Sequence, residues 1–324
     1  MHEGLRFENN GEYEKTLETA KTPEEFLATI DFAELNRIVS TLRQRSGVEK
    51  EYSEITSDTF KFEPVEVIKD DRGRIVTIEG RRAIGSRDVV LGWEEGVPDT
   101  VRNLRALRTL IHESLHDQTS ASEDEIEYLS ETDPRNLRSG QVTPSMKNGY
   151  AELQHKEGES YYRQNTPLNE AMTETLALEI LHTYLERTGQ QTLLNKEVQN
   201  EIDVNYFEDR VVLQIVVQAL TERLKIEDTN HVWQGFVRGY FSQEAMPTKI
   251  IDMIHAEIWS GNPLVSRLVS ELSTGKSIQD RGDAGKILTP IADSEFHKHR
   301  ITDAINEVVN RLDSTELMNA LGLK

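Results

Sequence analysis

Residues 98–119 read PDTVRNLRALRTLIHESLHDQT, and their spacing predicts the central helix of the fold. The preceding segment ends at Pro98, and Asp99 or Thr100 can cap a helix that begins there. Apolar residues then recur every three or four positions, as one face of a helix requires: Val101, Leu104, Leu107, Ile111 and Leu115. The stretch therefore predicts an amphipathic helix with one buried face.

The same helix carries His112, Glu113 and His116. Histidines four positions apart lie one turn from each other on one face, where both imidazoles can bind one tetrahedral zinc ion at ~2.0–2.1 Å. Glu113 can accept a proton from a water molecule at the open coordination position, because the metal lowers the pKa of that water to ~7. The pattern is H-E-x-x-H, a helix-borne zinc motif. The alternative interpretation is two surface histidines on a helix.

A zinc ion held by two histidines and a water molecule needs a third protein ligand. The longer pattern H-E-x-x-H-x-x-G-x-x-H is excluded, because Thr119 stands at its glycine and Ser122 at its third histidine. His155, in a polar segment, is one remaining option. The other option is the pair Glu170 and Glu174, four positions apart near the start of a second predicted helix.

The helix that carries Glu170 and Glu174 is predicted to begin at Thr166-Pro167 and to end at Gly189. The face that the two carboxylates share becomes apolar further along, at Ala177, Leu178, Leu181 and Leu185. Carboxylates on a partly buried face need a cation, a metal ion or hydrogen bonds to compensate their charge. The helix dipole also favours an anion in the first turn. The competing interpretation is a charged helix start on a solvated face.

H-E-x-x-H on one helix, followed by Asn-Glu-x-x-Thr-Glu at 169–174 on the next, resembles the gluzincin metallopeptidases, the thermolysin-like clan. The resemblance implies one zinc ion per chain, with His112, His116 and Glu170 as its ligands. It implies that Glu113 is the general base of a peptidase, and that these helices belong to a zincin-like catalytic core.

The resemblance also implies supporting roles for residues around the ligands. Glu174 would accept an N–H group from one imidazole, where the clan more often has Asp. Asn169 directly precedes the third ligand, as in the clan, and joins Glu174 in supporting it. An edge strand ahead of the motif helix pairs with extended substrate in this clan, and Val89–Trp93 is the candidate here.

A peptidase needs a hydrogen-bond donor for the oxyanion besides its metal. In thermolysin-like enzymes a tyrosine shortly upstream of the third ligand and a later histidine serve this purpose, which points to Tyr161 and Tyr162, nine and eight positions before Glu170. Three other side chains stay open as alternatives: Tyr150, Tyr206 and His231. Core packing is the favoured interpretation of the last two. His182 lies roughly 18 Å along the helix from Glu170, too far for the same ion.

The whole chain divides into three predicted segments within a mainly helical α+β class. Residues 1–59 are helical, with a helix-start signature at Thr22-Pro23-Glu24-Glu25. Residues 60–190 form the catalytic core, which opens with short β-branched runs around a turn at 70–73, a pattern that predicts a small antiparallel sheet. Residues 191–324 form a helical C-terminal subdomain, with helices predicted near 207–225, 230–242, 247–259, 263–273 and 293–312.

A long polar connection, 119–165, joins the two ligand-bearing helices. A connection of this length is predicted to be functional or partly ordered. It includes an acidic stretch, without the spacing of a calcium loop, that is predicted to be a solvated, mobile loop: Glu123, Asp124, Glu125, Glu127 and Glu131.

The chain has 324 residues, with 57 acidic against 37 basic side chains and a formal net charge of −20. This charge argues against nucleic acid or an anionic membrane as partner, so a peptide or protein substrate is expected. The absence of cysteine excludes disulfides and thiolate ligands, so any zinc has to be bound by nitrogen and oxygen. The sequence has no apolar run of membrane-spanning length and no apolar leader, and the expected location is cytoplasmic.

Two other functions fit the same sequence. A zinc hydrolase that acts on a non-peptide amide would use the same residues. A helical binding or regulatory module, with a structural metal or none, would explain the many helices predicted downstream. The metal content of the purified chain separates this module from the two hydrolases.

Overall fold

The computed structural model describes residues 16–48, 54–69, 75–82, 89–119, 127–128, 144–148, 151–154, 162–164, 166–202, 207–242 and 295–323. These residues are mostly helical and include small sheets, so the predicted α+β class is confirmed. Their buried apolar side chains form one continuous cluster that runs from Leu17 to Leu321. The three-segment division stays a prediction. In the described part of the chain, no helix is both long enough and apolar enough to cross a bilayer.

The N-terminal helices α1 (Pro23–Ala28) and α2 (Phe32–Arg45) begin at side-chain caps. The Thr22 hydroxyl accepts a hydrogen bond from the Glu25 backbone N–H at 3.2 Å, which confirms the predicted helix start. The Asp31 carboxylate caps α2 in the same way at 2.9 Å. Gly47, with φ of 74°, follows the end of α2 in the left-handed conformation that glycine tolerates.

Two small sheets precede the central helix, built from β1 (Phe60–Pro64), β2 (Glu66–Lys69), β3 (Ile75–Ile78), β4 (Gly80–Arg82) and β5 (Val89–Trp93). Strands β2 and β3 form an antiparallel hairpin, whose turn lies outside the described residues. The other sheet has the order β1-β5-β4, with β5 parallel to β1 and antiparallel to β4.

The prediction of an antiparallel sheet is therefore wrong for the β1–β5 pair. A parallel pair needs a long crossover, and the segment with β2, β3 and β4 supplies it. The prediction that β5 is the edge strand is also wrong, because β5 lies between two neighbours. Among the described strands of this sheet, β4 is at the edge beside the central helix.

The central helix α3 (Asp99–Thr119) packs against β4, β5 and α4 (Thr166–Arg187). Its predicted apolar stripe is buried, apart from the partly buried Val101. The helix begins at Asp99 itself. Both predicted caps, Asp99 and Thr100, therefore lie inside the helix. The Asp99 carboxylate instead accepts a hydrogen bond from Arg102 at 2.6 Å. Gly189, with φ of 72°, follows the end of α4 as predicted.

The connection between α3 and α4 contains an antiparallel sheet in the order β6-β7-β8-β9. Its strands are β6 (Glu127–Tyr128), β7 (Pro144–Asn148), β8 (Ala151–Gln154) and β9 (Tyr162–Gln164). Strand β7 contacts α3 and β8 contacts α4. The predicted loop is therefore wrong at Glu127, which lies in β6, while Glu123, Asp124, Glu125 and Glu131 lie outside the described residues.

The C-terminal part consists of α5 (Lys196–Ile202), α6 (Phe207–Leu224), α7 (Thr229–Ser242), α8 (Glu295–Arg311) and α9 (Ser314–Ala320). The helices predicted near 207–225, 230–242 and 293–312 are confirmed within two residues at each end. Those predicted at 247–259 and 263–273 lie outside the described residues. Helix α6 packs against α4, α7 and α8, which joins this part to the ligand-bearing helix α4.

Candidate metal centre

Three ligand atoms from α3 and α4 converge at one point. The Nε2 atoms of His112 and His116 lie 3.1 Å apart. The Glu170 Oε2 atom lies 3.3 Å from the first of these nitrogens and 3.4 Å from the second. A tetrahedral ion bound at ~2.0–2.1 Å separates its ligand atoms by about 3.3–3.4 Å. The group therefore has the dimensions of three corners of such a site and could hold a metal ion.

Core packing on both helices holds these ligands. Leu115 of α3 and Leu168, Ala171 and Met172 around Glu170 in α4 are at most 1% exposed. The two imidazole rings lie edge to face, with centroids 4.8 Å apart. The apolar residues fix how the two helices are rotated toward each other, and this rotation brings Glu170 opposite the histidine pair.

Glu174 supports His112 from the side away from Glu170. Its Oε2 atom lies 2.8 Å from Nδ1 of His112, and its side chain is 1% exposed. A carboxylate at Nδ1 retains the proton there, so Nε2 is the nitrogen that can bind a metal ion once its own proton is lost. The Glu174 side chain therefore makes the imidazole contact that was expected of it from the sequence.

Arg108, which sequence reasoning missed, lies behind this carboxylate. Its Nη1 atom donates to Glu174 Oε1 and to the Ile202 carbonyl oxygen, both at 3.1 Å. Its Nη2 atom donates to the Glu79 carboxylate. Arg108, His112 and His116 follow at intervals of four positions on one helix face, so the sequence contained a signal for this role.

The electrostatics of the group favour ionised carboxylates. Burial disfavours charged His112, but hydrogen bonds to Glu170 and Glu174 outweigh burial and raise the pKa of His112 to about 10. Burial also opposes ionisation of Glu170, yet the two histidines lower its pKa. The pKa of Glu174 is lowered, against burial, by the charge of Arg108 and by His112. A metal ion that binds Nε2 therefore has to displace a proton from His112 near neutral pH.

Glu113 lies against strand β4. It directly follows His112 and is 9% exposed. A Cβ atom added to Gly80 would lie 3.0 Å from Glu113 Oε1 and 2.5 Å from Thr109 Cγ2. The backbone of β4 thus passes directly against the Glu113 carboxylate, and only glycine at position 80 allows this approach.

Replacing Gly80 should test this close approach. We expect Gly80→Ala to lower the free energy of unfolding by about 1–3 kcal/mol, the usual cost of overpacking. Thr109→Ser removes the methyl group that forms the shortest contact, so adding it to Gly80→Ala should recover part of the loss. Urea unfolding midpoints of the single and double variants, with Thr109→Ser alone as the control, measure both effects. A Gly80→Ala protein as stable as the parent would contradict the packing.

Of the other predicted site residues, the structure describes the side chain of Asn169. Asn169 is buried, at 2% exposed, and its carbonyl oxygen accepts a hydrogen bond from the Thr173 hydroxyl at 2.8 Å. Tyr162 begins β9, but its side chain is not among the described ones. Four further residues lie outside the described part of the chain: Tyr150, His155, Tyr161 and Tyr206. The donor for an oxyanion therefore stays a prediction.

Two histidines considered from sequence lie on helix surfaces. His182 is exposed on α4, away from the metal-binding group. His231 is exposed near the start of α7, so the prediction that it packs in the core is wrong. It occupies the third position of that helix, where the side chain points to solvent.

Tyr240 of α7 also approaches the site, and sequence reasoning missed it. Its side chain is fully buried, and its hydroxyl forms a hydrogen bond of 2.7 Å with the Thr173 hydroxyl. Burial and the negative charges of Glu170 and Glu113 raise the pKa of Tyr240, so the hydroxyl stays protonated. Tyr240 braces α7 against α4 beside the third ligand. No local pattern indicated this role.

No family model, curated protein or solved structure matches this chain. The interpretation of the site therefore rests on its own residues and geometry.

Proposed function

We propose that this chain is a zinc metallopeptidase of the gluzincin type. The observation that carries the proposal is the triangle of ligand atoms from His112, His116 and Glu170, with sides of 3.1, 3.3 and 3.4 Å. Two imidazoles and one carboxylate form a donor set found in catalytic zinc sites, which keep a fourth position for water or substrate. Helices α3 and α4, together with the β1-β5-β4 sheet, would then form a zincin-like core.

The charges around the group support a divalent cation. Among the described side chains there, four carboxylates face two guanidinium groups: Glu79, Glu113, Glu170 and Glu174 against Arg108 and Arg210. A proton on His112, whose pKa is raised to about 10, offsets one of the two excess negative charges, and a metal ion that displaces this proton leaves both to be compensated. A buried excess of charge is costly unless it is paired, and one Zn²⁺ ion would neutralise it.

The partial exposure of the ligands supports a catalytic site over a closed structural one. The side chains of His116 and Glu170 are 13% and 16% exposed, whereas Glu174 behind them is 1% exposed. The ligand side chains are therefore partly accessible to water, whereas the carboxylate behind them is not. An open position next to three protein ligands is typical of catalytic zinc.

Zinc bound here would supply Lewis-acid chemistry, acidifying a water molecule and polarising the carbonyl group of an amide. Glu113 would accept the proton from the attacking water at its carboxylate. It would then deliver this proton to the amide nitrogen as the C–N bond breaks. Arg108 and Glu174 would hold His112 in the correct tautomer during these transfers.

Strand β4 favours a peptide over another amide as the substrate. It is one of the two outer strands among those described in its sheet, and it passes directly against Glu113. An extended peptide can pair with such an edge through backbone hydrogen bonds. Pairing at β4 would place a peptide bond beside Glu113 and the metal-binding group.

Metal analysis combined with a peptide-library digest tests the proposal. We expect about one zinc per purified chain, and new peptide termini in the library by mass spectrometry. Treatment with a chelator should abolish these termini, and zinc should restore them. A protein with no zinc and no response to chelator would favour a binding module. Bound zinc with no cleavage of any peptide would favour a hydrolase of non-peptide amides.

A further inference from the structure

Arg108 joins four parts of the fold from one buried position. Its side chain is 2% exposed. From α3 it donates to Glu174 in α4, to the Ile202 carbonyl oxygen at the end of α5, and to Glu79 between β3 and β4. A guanidinium group can serve several acceptors at once because its donors form a planar fork, which an ammonium group lacks.

The Glu79 end of this bridge is fixed in the sheet. The Glu79 carbonyl oxygen accepts a hydrogen bond from the Gly92 backbone N–H in β5 at 2.7 Å. The next residue, Gly80, is the one that passes against Glu113. Arg108 thus connects the edge strand beside Glu113 with the carboxylate behind His112.

The Glu174 end of the bridge bears on metal binding. Its two carboxylate oxygens have separate partners, Arg108 at Oε1 and His112 at Oε2. Losing Arg108 would leave Oε1 without this donor, and the carboxylate could rotate away from Nδ1. The imidazole of His112 would then lose the contact that orients Nε2 toward His116 and Glu170.

We propose that Arg108 is a positioning residue that holds Glu174 against His112 and ties strand β4 to the metal-binding group. The inference rests on the proposed function, because it assigns His112 as a metal ligand. It adds that Arg108, by holding the Glu174 carboxylate in place, determines part of the affinity for the metal ion. The bridging geometry is essential here, so a positive charge alone does not suffice.

A double-mutant cycle measures this role with zinc alone as the probe. We expect Arg108→Met and Glu174→Gln each to weaken zinc binding by about 10–100-fold, the usual effect of losing a residue that orients a ligand. The double variant should bind zinc no more weakly than the single variant with the lower zinc affinity, because both changes break the same connection. Competition with a chromophoric chelator gives the affinities. The visible spectrum of the Co²⁺-loaded proteins reports changes in the ligand geometry.

Two further variants separate bridging from charge and from folding. Arg108→Lys keeps the charge without the fork and should still bind zinc several-fold more weakly than the parent. Removing a buried arginine also leaves two carboxylates without their partner. We therefore include Arg108→Met combined with Glu79→Gln and Glu174→Gln, which should fold and show the same weakened binding as Glu174→Gln alone.

Arg105→Met is the matched control on the same helix. Arg105 pairs with Glu94 at 2.7 Å, outside the metal-binding group, so its loss should leave zinc affinity and the Co²⁺ spectrum unchanged. Additive losses in the cycle, or full rescue by Arg108→Lys, would overturn the inference while the proposed function stands. A parent protein that binds no zinc would overturn both.

Discussion

A Glu113→Gln protein should keep its zinc and lose peptide cleavage by roughly two to four orders of magnitude, the usual contribution of a general acid–base group. The amide has nearly the same shape as the carboxylate but cannot accept the proton of the attacking water. Glu113 is not a member of the His112, His116 and Glu170 group, so the metal ligands stay intact. The zinc content shows whether the metal is kept, and initial rates on a peptide found in the library digest show whether cleavage is lost.

Asp117→Asn provides the control for this experiment. Asp117 lies one turn beyond Glu113 on the same helix, and the substitution makes the same change from carboxylate to amide. It should cleave at close to the parent rate. Full cleavage by Glu113→Gln would remove Glu113 from the mechanism. Loss of zinc from that variant would show that the carboxylate helps to bind the ion.

A Glu170→Gln protein should lose most of its zinc affinity. Structural zinc sites with four ligands bind with about 10–16 kcal/mol, so one ligand accounts for about 2.5–4 kcal/mol, or a factor on the order of a hundred to a thousand. The substitution also removes the only anionic ligand of the group. Competition with a chelator measures the affinity directly.

Thermal unfolding gives an independent measure of the same loss. Zinc at a thousand times its dissociation constant stabilises a folded protein by about 4 kcal/mol, so the parent should unfold at a higher temperature with zinc than with chelator. This difference should shrink sharply in Glu170→Gln. Glu186→Gln is the control, because Glu186 is exposed on the same helix. Parent-like zinc affinity in Glu170→Gln would exclude Glu170 as a ligand.

Patterns within one segment predicted much of the helical structure. The stripe of α3, the Thr22 cap and the glycine end of α4 each depend on residues a few positions apart. Helix geometry relates such neighbours directly. The same geometry placed His112 and His116 on one face before any packing was known.

Sheet topology was predicted poorly, for a physical reason. A β-branched run indicates that a strand exists, but partner and direction depend on how distant segments meet. The parallel β1–β5 pair and the edge position of β4 were therefore not visible in the sequence. The strands β7, β8 and β9 are three to five residues long. Apolar and polar residues alternate over only four positions in β7 and in β8, which is the shortest run that indicates a half-buried strand.

The sequence by itself determined the histidine pair, its neighbouring glutamate and the two helices that carry the candidate ligands, because the 3.6-residue helical period acts over a single turn. Only the tertiary structure decided that Glu170 meets both histidines, that Arg108 is buried against Glu174, and that Gly80 touches Glu113. These contacts join segments that are dozens of residues apart. They depend on how α3 packs against α4 and the sheet, and side-chain packing across the whole core sets that arrangement.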